Sequence, residues 1–539
     1  MVDHNTKNSK VDHDLPENIY QREKSKFDWR VLFLFIILIA TTIVAVFVNQ
    51  DVTHEDTTKD FLNAIDIDNG DLKINWDHYQ TVDIELSESI VINKSGTYHL
   101  TGNLQNGSIT VDAHVGEVRL ILDNVTINNL AGPAIYCSTA EDLVIELIGE
   151  NNLSDSYKYS SVYSDDVKGA IYSRADLIFS GNGSLNLVAN HEDGIVGKDD
   201  LKFINGSYYI TSADDAIRGT DSVYIIDGNF ILNSTADAIK TTDETNFGKG
   251  YILVEKGNFN ITSNAKGLKA THNIIIQDGE FSIESHDDAI HSDNYIGIIG
   301  GNLSINASDD AIHANSKLII DDGTITVSQA HEGLEAQVVI INSGTIDLIT
   351  TDDGINAGGG ANQSTTNNPR SEMFNVDENC IIAINGGNIH ISASGDGIDS
   401  NGWLYINDGT IIVDGPIHDG NGALDTGMGI IAKGGEIIAL GSSGMAESLS
   451  KTSTINNISV YFKNEQSPNT LIEITDSENQ TILSYTSAKK FSHLVAGTPK
   501  FKLAEKYTIY LNNKKYQDFI TSDITTIIGN SSTNFDIKK

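Results

Sequence analysis

Residues 287–313 read DDAIHSDNYIGIIGGNLSINASDDAIH, and this stretch contains the pattern that decides the fold. The phrase DDAI at 287–290 returns 22 residues later at 309–312. Between the two copies, short aliphatic runs alternate with polar residues and are separated by glycine and asparagine. Alternation with period two, interrupted by turn residues, predicts short strands and argues against helices.

The phrase consists of two polar or acidic residues, a small residue and an aliphatic residue, and it recurs along the chain. Its copies end at Ile195, Ile217, Ile239, Leu268, Ile290, Ile312, Leu334, Ile355 and Ile398. Glycines keep the same spacing at Gly183, Gly206, Gly228, Gly257, Gly279, Gly301, Gly323, Gly344, Gly387, Gly409 and Gly435. Two ladders in register over about 250 residues indicate a repeat architecture with about 22 residues per turn.

These features predict an all-β fold, a single-stranded right-handed parallel β-helix at 65–454, in which each rung is one turn of about 22 residues. Equivalent residues of successive rungs would then lie about 4.8 Å apart, and the aliphatic residues of the phrase would form one internal stack. After residue 455 the repeat is lost, which predicts a β-rich C-terminal cap at 455–539. A β-propeller or a leucine-rich horseshoe is the structural alternative.

The N-terminus contains an uncharged run, VLFLFIILIATTIVAVFV at 31–48. Its length of roughly 27 Å as a helix matches the hydrocarbon core of a bilayer. Basic residues precede it and acidic residues follow it, so the positive-inside rule predicts a cytoplasmic tail at 1–30, a single-pass transmembrane anchor in the cell membrane, a linker at 49–64 and an extracellular remainder. A cleaved signal peptide is the alternative.

Composition excludes some functions. The chain has 539 residues, with 35 Lys and Arg against 74 Asp and Glu, a formal net charge of −39. Binding to nucleic acid or to anionic lipid by charge attraction is therefore excluded as a general mode. Cys137 and Cys380 are too few for a disulfide scaffold and are predicted to be buried.

In rung register, acidic residues form a column, with further aspartates beside it. We call Asp193, Asp215, Asp237, Asp288, Asp310, Glu332, Asp353 and Asp396 the acid column. Carboxylates at this spacing repel by roughly 1 kcal/mol in water and by several at an effective dielectric near 20. Arg218, Lys240, Lys266 and Lys269 can relieve the lower rungs, whereas the upper rungs offer His291, His313, Glu335, Asn356 and Asp399.

Clustered oxygen ligands at glycine-rich corners are typical of calcium sites. The predicted metal ligands are Asp214, Asp215, Asp237, Asp287, Asp288, Asp309, Asp310, Asp352 and Asp353. In the alternative interpretation, each aspartate caps its own turn as an Asx motif facing solvent. A zinc site at His291 and His313 is a weaker alternative.

A second column opens the strand that follows the acidic corner. It contains Ser222, Tyr251, Asn273, Tyr295, Lys317, Val339 and Trp403, and because each successor is aliphatic, alternation predicts that this column faces outward. Exposed rings on a flat sheet suit stacking against sugars. The predicted glycan contacts are Tyr251, Tyr295, Trp403, Lys317 and Arg218, the alternative being aromatic residues that merely occupy strand positions.

The stretches KSGTYHLTGNL and VRLILDNVTINN within 94–129, with AIYSRADLIFSGNGSLNLVAN and DGIVGKDDLKFINGSYYIT within 170–211, resemble the carbohydrate-binding parallel β-helix family of the pectate-lyase-like superfamily. The resemblance implies a surface protein that binds cell-wall polysaccharide, including acidic uronate sugars, with calcium on Asp-rich corners. A strongly acidic protein can hold a polyuronate only if bridging cations reverse the local charge.

The same resemblance implies a rival function, a calcium-dependent pectate-like polysaccharide lyase. Asp214, Asp215 and Asp237 would hold the metal, and Lys240 or Lys269 would serve as the base if nearby cations lowered its pKa. This sequence departs from the lyases because DDAIR and DDAIH lack a further acid three residues after the pair, and only GDGID at 395–399 keeps one. A purely structural, adhesin-like solenoid is a third possibility.

Overall fold

The computed structural model describes residues 58–62, 65, 67, 69–358 and 376–529. The chain divides into two units, Met1–Glu55 and Asp56–Lys539, and every described residue belongs to the second. The anchor predicted at 31–48 lies outside the described residues, as does most of the insertion at 357–379. Within the described part of the chain, no helix has the length and apolar character needed to cross a bilayer.

The predicted all-β solenoid is confirmed: it is of the right-handed type and has about 15 turns. Among the described residues, one short helix, α1 (Thr58–Leu62), and two 3₁₀ turns, Asp71–Lys73 and Trp76–His78, precede the strands. The opening strands β1–β9 are Thr81–Leu86, Ile90–Ile92, Gly96–Leu104, Ile109–Asp112, Val118–Asp123, Thr126–Asn128, Ile135–Thr139, Asp142–Ile148 and Glu150–Ser154.

The regular rungs contain strands β10–β40, and β28 and β30 each span a corner that separates two strands in the other rungs. Their bounds are Gly169–Ser173, Asp176–Gly181, Ser184–Ala189, Asp193–Gly197, Asp200–Phe203, Ser207–Ser212, Ile217–Gly219, Ser222–Ile225, Asn229–Ser234, Ile239–Thr241, Tyr251–Val254, Asn258–Ser263, Leu268–Ala270, Asn273–Ile276, Glu280–Ser285, Ile290–Ser292, Tyr295–Ile298, Asn302–Ala307, Ile312–Ile320, Thr324–Ala330, Leu334–Ile341, Thr345–Thr350, Ile355–Ala357, Ile381–Ile384, Asn388–Ser392, Ile398–Ser400, Trp403–Ile406, Thr410–Asp414, Leu424–Thr426, Gly429–Ala432 and Glu436–Gly441.

Each rung contributes one strand to each of three parallel sheets. We call them the short, middle and long sheets, and in one rung they contain β16, β17 and β18 respectively. Successive rungs pair in parallel without a register slip through most of the array, and Ile217 lies opposite Ile239 in the short sheet. The predicted aliphatic stack is confirmed from Ile217 to Ile398, because all its members are fully buried. In the long sheet, Phe259 stacks on Phe281 with a centroid distance of 4.4 Å and an interplanar angle of 5°.

The glycine ladder marks the corner between the middle and long sheets. Gly344 has φ +105°, and a Cβ added there would lie 2.8 Å from the carbonyl oxygen of Gly323, one rung below. The left-handed backbone and this close approach both require glycine. The ladder therefore fixes how closely successive rungs stack.

The outward face of the middle sheet is apolar and is covered near its centre by the segment that precedes the solenoid. We call the described residues of this segment, 58–62, 65, 67 and 69–73, the N-terminal strap. Phe61 of the strap stacks on Tyr295 with a centroid distance of 3.6 Å and an interplanar angle of 13°. Ile65 and Leu72 join the same apolar cluster as Tyr251. The middle sheet is thus buried on both faces where the strap crosses it.

The C-terminal part contains seven strands, which pair mostly antiparallel. Strand β44 pairs antiparallel with both β40 and β41, which extends the long sheet beyond the last rung. A separate antiparallel sheet has the order β43, β42, β45, β46. The bounds of strands β41–β47 are Asn457–Gln466, Leu471–Thr475, Thr481–Thr486, Phe491–Gly497, Lys506–Leu511, Lys514–Ile520 and Thr525–Ile528.

Candidate functional site

The acid column is a continuous vertical feature at the start of the short sheet, and its carboxylates bond from rung to rung. Oδ1 of Asp215 accepts the backbone N–H of Asp237 at 3.0 Å, and Oδ1 of Asp288 accepts that of Asp310 at 3.1 Å. Oδ1 of Asp353 likewise accepts the N–H of Asp396 at 2.6 Å. The Asx alternative is therefore wrong for these acids, because each bonds to the next rung and not to its own turn.

Another column lies three residues after the acid column in each rung, on the outward side of the short sheet. We call it the outer column. Its pairing runs from Tyr172 and Val196 through the cationic rungs to Asp399 and Asp425. Its composition changes along the axis from aromatic to cationic to acidic, in the order Tyr136, Tyr172, Val196, Arg218, Lys240, Lys269, His291, His313, Glu335, Asn356, Asp399 and Asp425.

In the lower rungs, cations neutralise the acid column directly, as the sequence predicts. Arg218 contacts Asp193 at 2.8 Å, and Lys240 contacts Asp237 at 2.9 Å. Lys266, which takes the place of an acid in the column, contacts Asp288 at 2.6 Å. These carboxylates already have counter-charges, so the lower rungs have little need of a metal.

The middle rungs use histidine for the same purpose. Nδ1 of His313 lies 3.1 Å from Asp310 and 2.8 Å from Glu335. Burial opposes protonation of His313, but its hydrogen bonds with the two carboxylates raise its pKa to about 10. Burial acts to raise the pKa of Asp288, yet hydrogen bonds from His291 and Lys266 hold it below its ordinary value. Without a metal, His313 forms ion pairs with Asp310 and Glu335, and the same three side chains lie close enough together to hold a metal ion, so the zinc alternative stays a prediction.

In the upper rungs, His331 lies 3.7 Å from Asp352, but the acids of the two columns have no such cation in contact among the described residues. We call Glu332, Asp353, Asp396, Asp399, Asp425 and Glu447 the upper carboxylates; no ion pair between described residues includes any of them. Burial, followed by repulsion from neighbouring acids, raises the pKa of Asp399 to about 8. Burial and neighbouring acids likewise raise the pKa of Glu332 to about 9. This part of the column therefore retains uncompensated carboxylates, which favour either protonation or a bound cation.

Several predicted metal ligands come together in space. Oxygen or nitrogen atoms of Asp193, Asp214 and Asp215 lie within 4.8 Å of one another, as do those of Asp309, Asp310 and His331 and those of His331, Glu332 and Asp352. Among the other predicted ligands, Asp287 contacts Lys266 at 2.9 Å. The prediction missed Asp399, Asp425 and Glu447. The register of the outer column could have identified the first two, whereas Glu447 follows the last rung and has no repeat signal.

The prediction that Tyr251 and Tyr295 are exposed for stacking against sugars is wrong. Tyr251 and Tyr295 are 1% and 0% exposed, because the apolar N-terminal strap covers the face they occupy. Lys317 lies over the Phe61 ring at 5.9 Å, and Arg218 is engaged with Asp193. Val339, in contrast, faces the core, because a register irregularity after Ala314 pairs Lys317 with Val338.

Of the three aromatic residues predicted to contact glycan, Trp403 is the one that stays partly accessible. It is half-buried, and its ring stacks with Tyr405 at a centroid distance of 6.0 Å and an angle of 27°. Both side chains lie on the outward face of the middle sheet, beside the half-buried Ile381. This pair is therefore the remaining candidate for stacking against a sugar ring.

The lyase alternative required a lysine with a lowered pKa, and for Lys240 that expectation is wrong. Burial acts to lower its pKa, but Asp215 and Asp237 outweigh burial and raise it above the ordinary value. A lysine held protonated by two carboxylates cannot accept a proton from a substrate at neutral pH. Lys269 remains the other predicted base.

Comparisons with known proteins agree with a carbohydrate-related chain. A model of a family described as carbohydrate-binding domain-containing protein matches residues 87–333 and 285–369. A relative of that description from Acetivibrio thermocellus is 34% identical over 142 residues, which is 25% of this chain and 49% of the relative. The chain thus spans about half the length of the curated relative it matches.

A solved structure described as a polysaccharide lyase-like protein from C. thermocellum, in a gadolinium derivative, is also similar. It is 26% identical, covers 46% of this chain and 90% of its own, and has a TM-score of 0.34. The family model, in contrast, spans more than half of the 539 residues, from the opening strands to Asp353 and beyond. The chain belongs to the carbohydrate-binding domain-containing protein family.

Proposed function

We propose that this protein binds a polysaccharide at the cell surface and that calcium on the upper carboxylates assists binding of acidic, uronate-containing glycans. The main observation is the stack of half-buried acids without ion-pair partners among the described residues, at Asp353, Asp396, Asp399 and Asp425. Family membership supports carbohydrate binding. The calcium proposal gains nothing from the family match, because Asp396, Asp399, Asp425 and Glu447 lie beyond the matched residues, and it rests on the clustering of these acids.

The chemistry of the upper carboxylates suits a hard divalent cation. Calcium prefers six to eight oxygen ligands and accepts carboxylates in flexible geometry. Asp399 and Asp425 pair directly in adjacent rungs, and the carboxyl of Glu447 lies near enough to raise the pKa of Asp399. A cation held there would remove their mutual repulsion and would offer free coordination positions to a uronate carboxylate.

The proposed location follows from the sequence. The uncharged run at 31–48, with basic residues before it, would anchor the chain in the membrane, with the N-terminus in the cytoplasm. The solenoid would then be displayed outside the cell, where polysaccharides and millimolar calcium occur together.

A pull-down on polygalacturonate tests the proposal with the full chain in mild detergent. We expect retention in calcium and loss in chelator. The double variant Asp399→Asn and Asp425→Asn should lose most of the calcium-dependent retention, whereas Glu284→Gln, an exposed acid on the long sheet, should behave like the unmodified chain. Retention that is unchanged by chelator would refute metal bridging, and release of an unsaturated, ultraviolet-absorbing product would instead favour the lyase.

Stacking against neutral sugars provides a further prediction. Trp403→Ala should weaken retention on a neutral glucan by about threefold to tenfold, the range expected for one aromatic contact. Because Trp403 is only half-buried, its replacement should leave the melting temperature nearly unchanged. Tyr295→Ala should instead lower the melting temperature, because that ring is buried under Phe61. Affinity electrophoresis and thermal melts measure both effects, and full retention by the Trp403 variant would exclude it as a contact.

A further inference from the structure

A long groove lies on the corner marked by the glycine ladder, away from the acid column. Its volume is about 890 Å³, and its lining runs from Asp278 through successive rungs to Glu436. Thr498, Pro499 and Lys500 of the C-terminal part lie at its end. The groove therefore follows the solenoid axis over several rungs, a shape that suits a linear polymer more than a compact ligand.

The groove exists because the position just before the ladder glycine holds a small residue in three of its rungs. The column reads Asp278, Gly300, Asp322, Ser343, Gly386 and Asp408 in successive rungs, as fixed by the pairing of the preceding strands. Gly300, Ser343 and Gly386 leave space between the aspartates. The concavity therefore results from side-chain size as well as from the bare backbone of the ladder.

The three aspartates are anchored but keep a carboxylate oxygen for other partners. Oδ1 of Asp278, Asp322 and Asp408 accepts the N–H of the following glycine, at 2.8 Å in each case. No ion pair between described residues neutralises any of the three. The cation at the groove, Lys500, pairs with Glu436, so the lining keeps a net negative charge.

The elongated shape of the groove and the sign of its charge point to the ligand class. Asp278 and Asp322 lie two rungs apart, about 10 Å, whereas Asp322 and Asp408 lie three rungs apart, so the first pair alone has the spacing of a two-sugar repeat. A β-1,4-linked chain with two-fold symmetry presents the same substituent on one side every second sugar, at a similar repeat. Carboxylates attract ammonium groups and repel uronates. We propose that this groove binds a linear glycan with free amino groups, a glucosamine polymer, lying along the solenoid axis.

This groove is separate from the upper carboxylates and requires no calcium. The inference goes beyond the proposed uronate binding, although it shares the premise that the solenoid binds polysaccharide. Loss of one activity should leave the other intact, so the two proposals fail independently.

Calorimetric titration of the full chain with glucosamine hexamer, in chelator, tests the groove. We expect tighter binding than for the N-acetylglucosamine hexamer and a loss of affinity as salt increases. Asp322→Asn and Asp408→Asn keep an oxygen that accepts the glycine N–H, so folding should persist while the combined variant loses about tenfold or more in affinity. Ser343→Trp, which fills an exposed part of the groove, should block binding.

The control is Asp227→Asn, which lies in the same column and bonds to Gly228 in the same way but pairs with Lys256 at 2.9 Å and does not line the groove. It should bind the hexamer like the unmodified chain. Equal losses in Asp227→Asn and Asp322→Asn would show attraction to the overall acidic surface and would overturn the groove. Absence of hexamer binding would overturn it as well, while retention on polygalacturonate in calcium would still support the proposed function.

Discussion

In chelator, the melting temperature of this protein is expected to fall by about 5 °C or more as the pH rises from 5 to 9. Burial raises the pKa of each upper carboxylate, and repulsion from neighbouring acids raises it further in all of them except Asp425. The pKa rises to about 6 for Asp353, about 7 for Glu447 and about 8 for Asp396. Each folded-state pKa exceeds the unfolded value near 4. The folded chain therefore binds more protons than the unfolded chain, and this stabilisation, complete below about pH 4, is lost as the pH rises through 6 to 9.

Calcium should reverse this loss, because a bound cation replaces the protons. We expect added calcium to raise the melting temperature strongly at pH 8 and only weakly at pH 5. His313, whose pKa is also raised, contributes stability that is likewise lost as the pH rises, so a variant is needed to assign the effect. Asp399→Asn with Asp425→Asn should reduce the pH dependence and abolish the calcium effect. If this variant melts like the unmodified chain at every pH, the upper carboxylates are not responsible.

Gly344→Ala should be among the most destabilising single substitutions in the solenoid. The added Cβ would face the carbonyl oxygen of Gly323 at 2.8 Å from a backbone with φ +105°. Strain of this kind costs about 1–3 kcal/mol before any displacement of the neighbouring rung. Gly420→Ala is the matched control, because a Cβ there meets nothing within 4 Å. Thermal or denaturant unfolding compares the two, and equal stability would contradict the stacking of rungs at the glycine ladder.

The sequence predicts the features that repeat. The stack from Ile217 to Ile398 and the acid column follow from phrases with constant spacing, since parallel in-register strands place equivalent residues above each other. The same reasoning anticipates Arg218 and Lys240 as counter-charges. A solenoid is unusually predictable for this reason, because each rung contacts only its neighbours.

The misses have a different physical origin. Tyr251 and Tyr295 face outward as predicted, yet the N-terminal strap, which is outside the repeat, buries them. Val339 leaves the outward-facing column because of a register irregularity after Ala314, which a constant repeat length cannot reveal. The bonds from each carboxylate to the next rung, such as Asp215 to Asp237, depend on side-chain orientation and not on spacing. Glu447 joins the upper carboxylates from a segment without any periodicity.

Calcium-assisted glycan binding is tested by a polysaccharide array probed with the full chain in detergent, once with calcium and once with chelator. We expect signal on uronate-rich polymers that requires calcium, with glucosamine polymers retained in both conditions. An array with no polysaccharide above background, or with uronate binding that is equal in calcium and in chelator, would contradict this expectation.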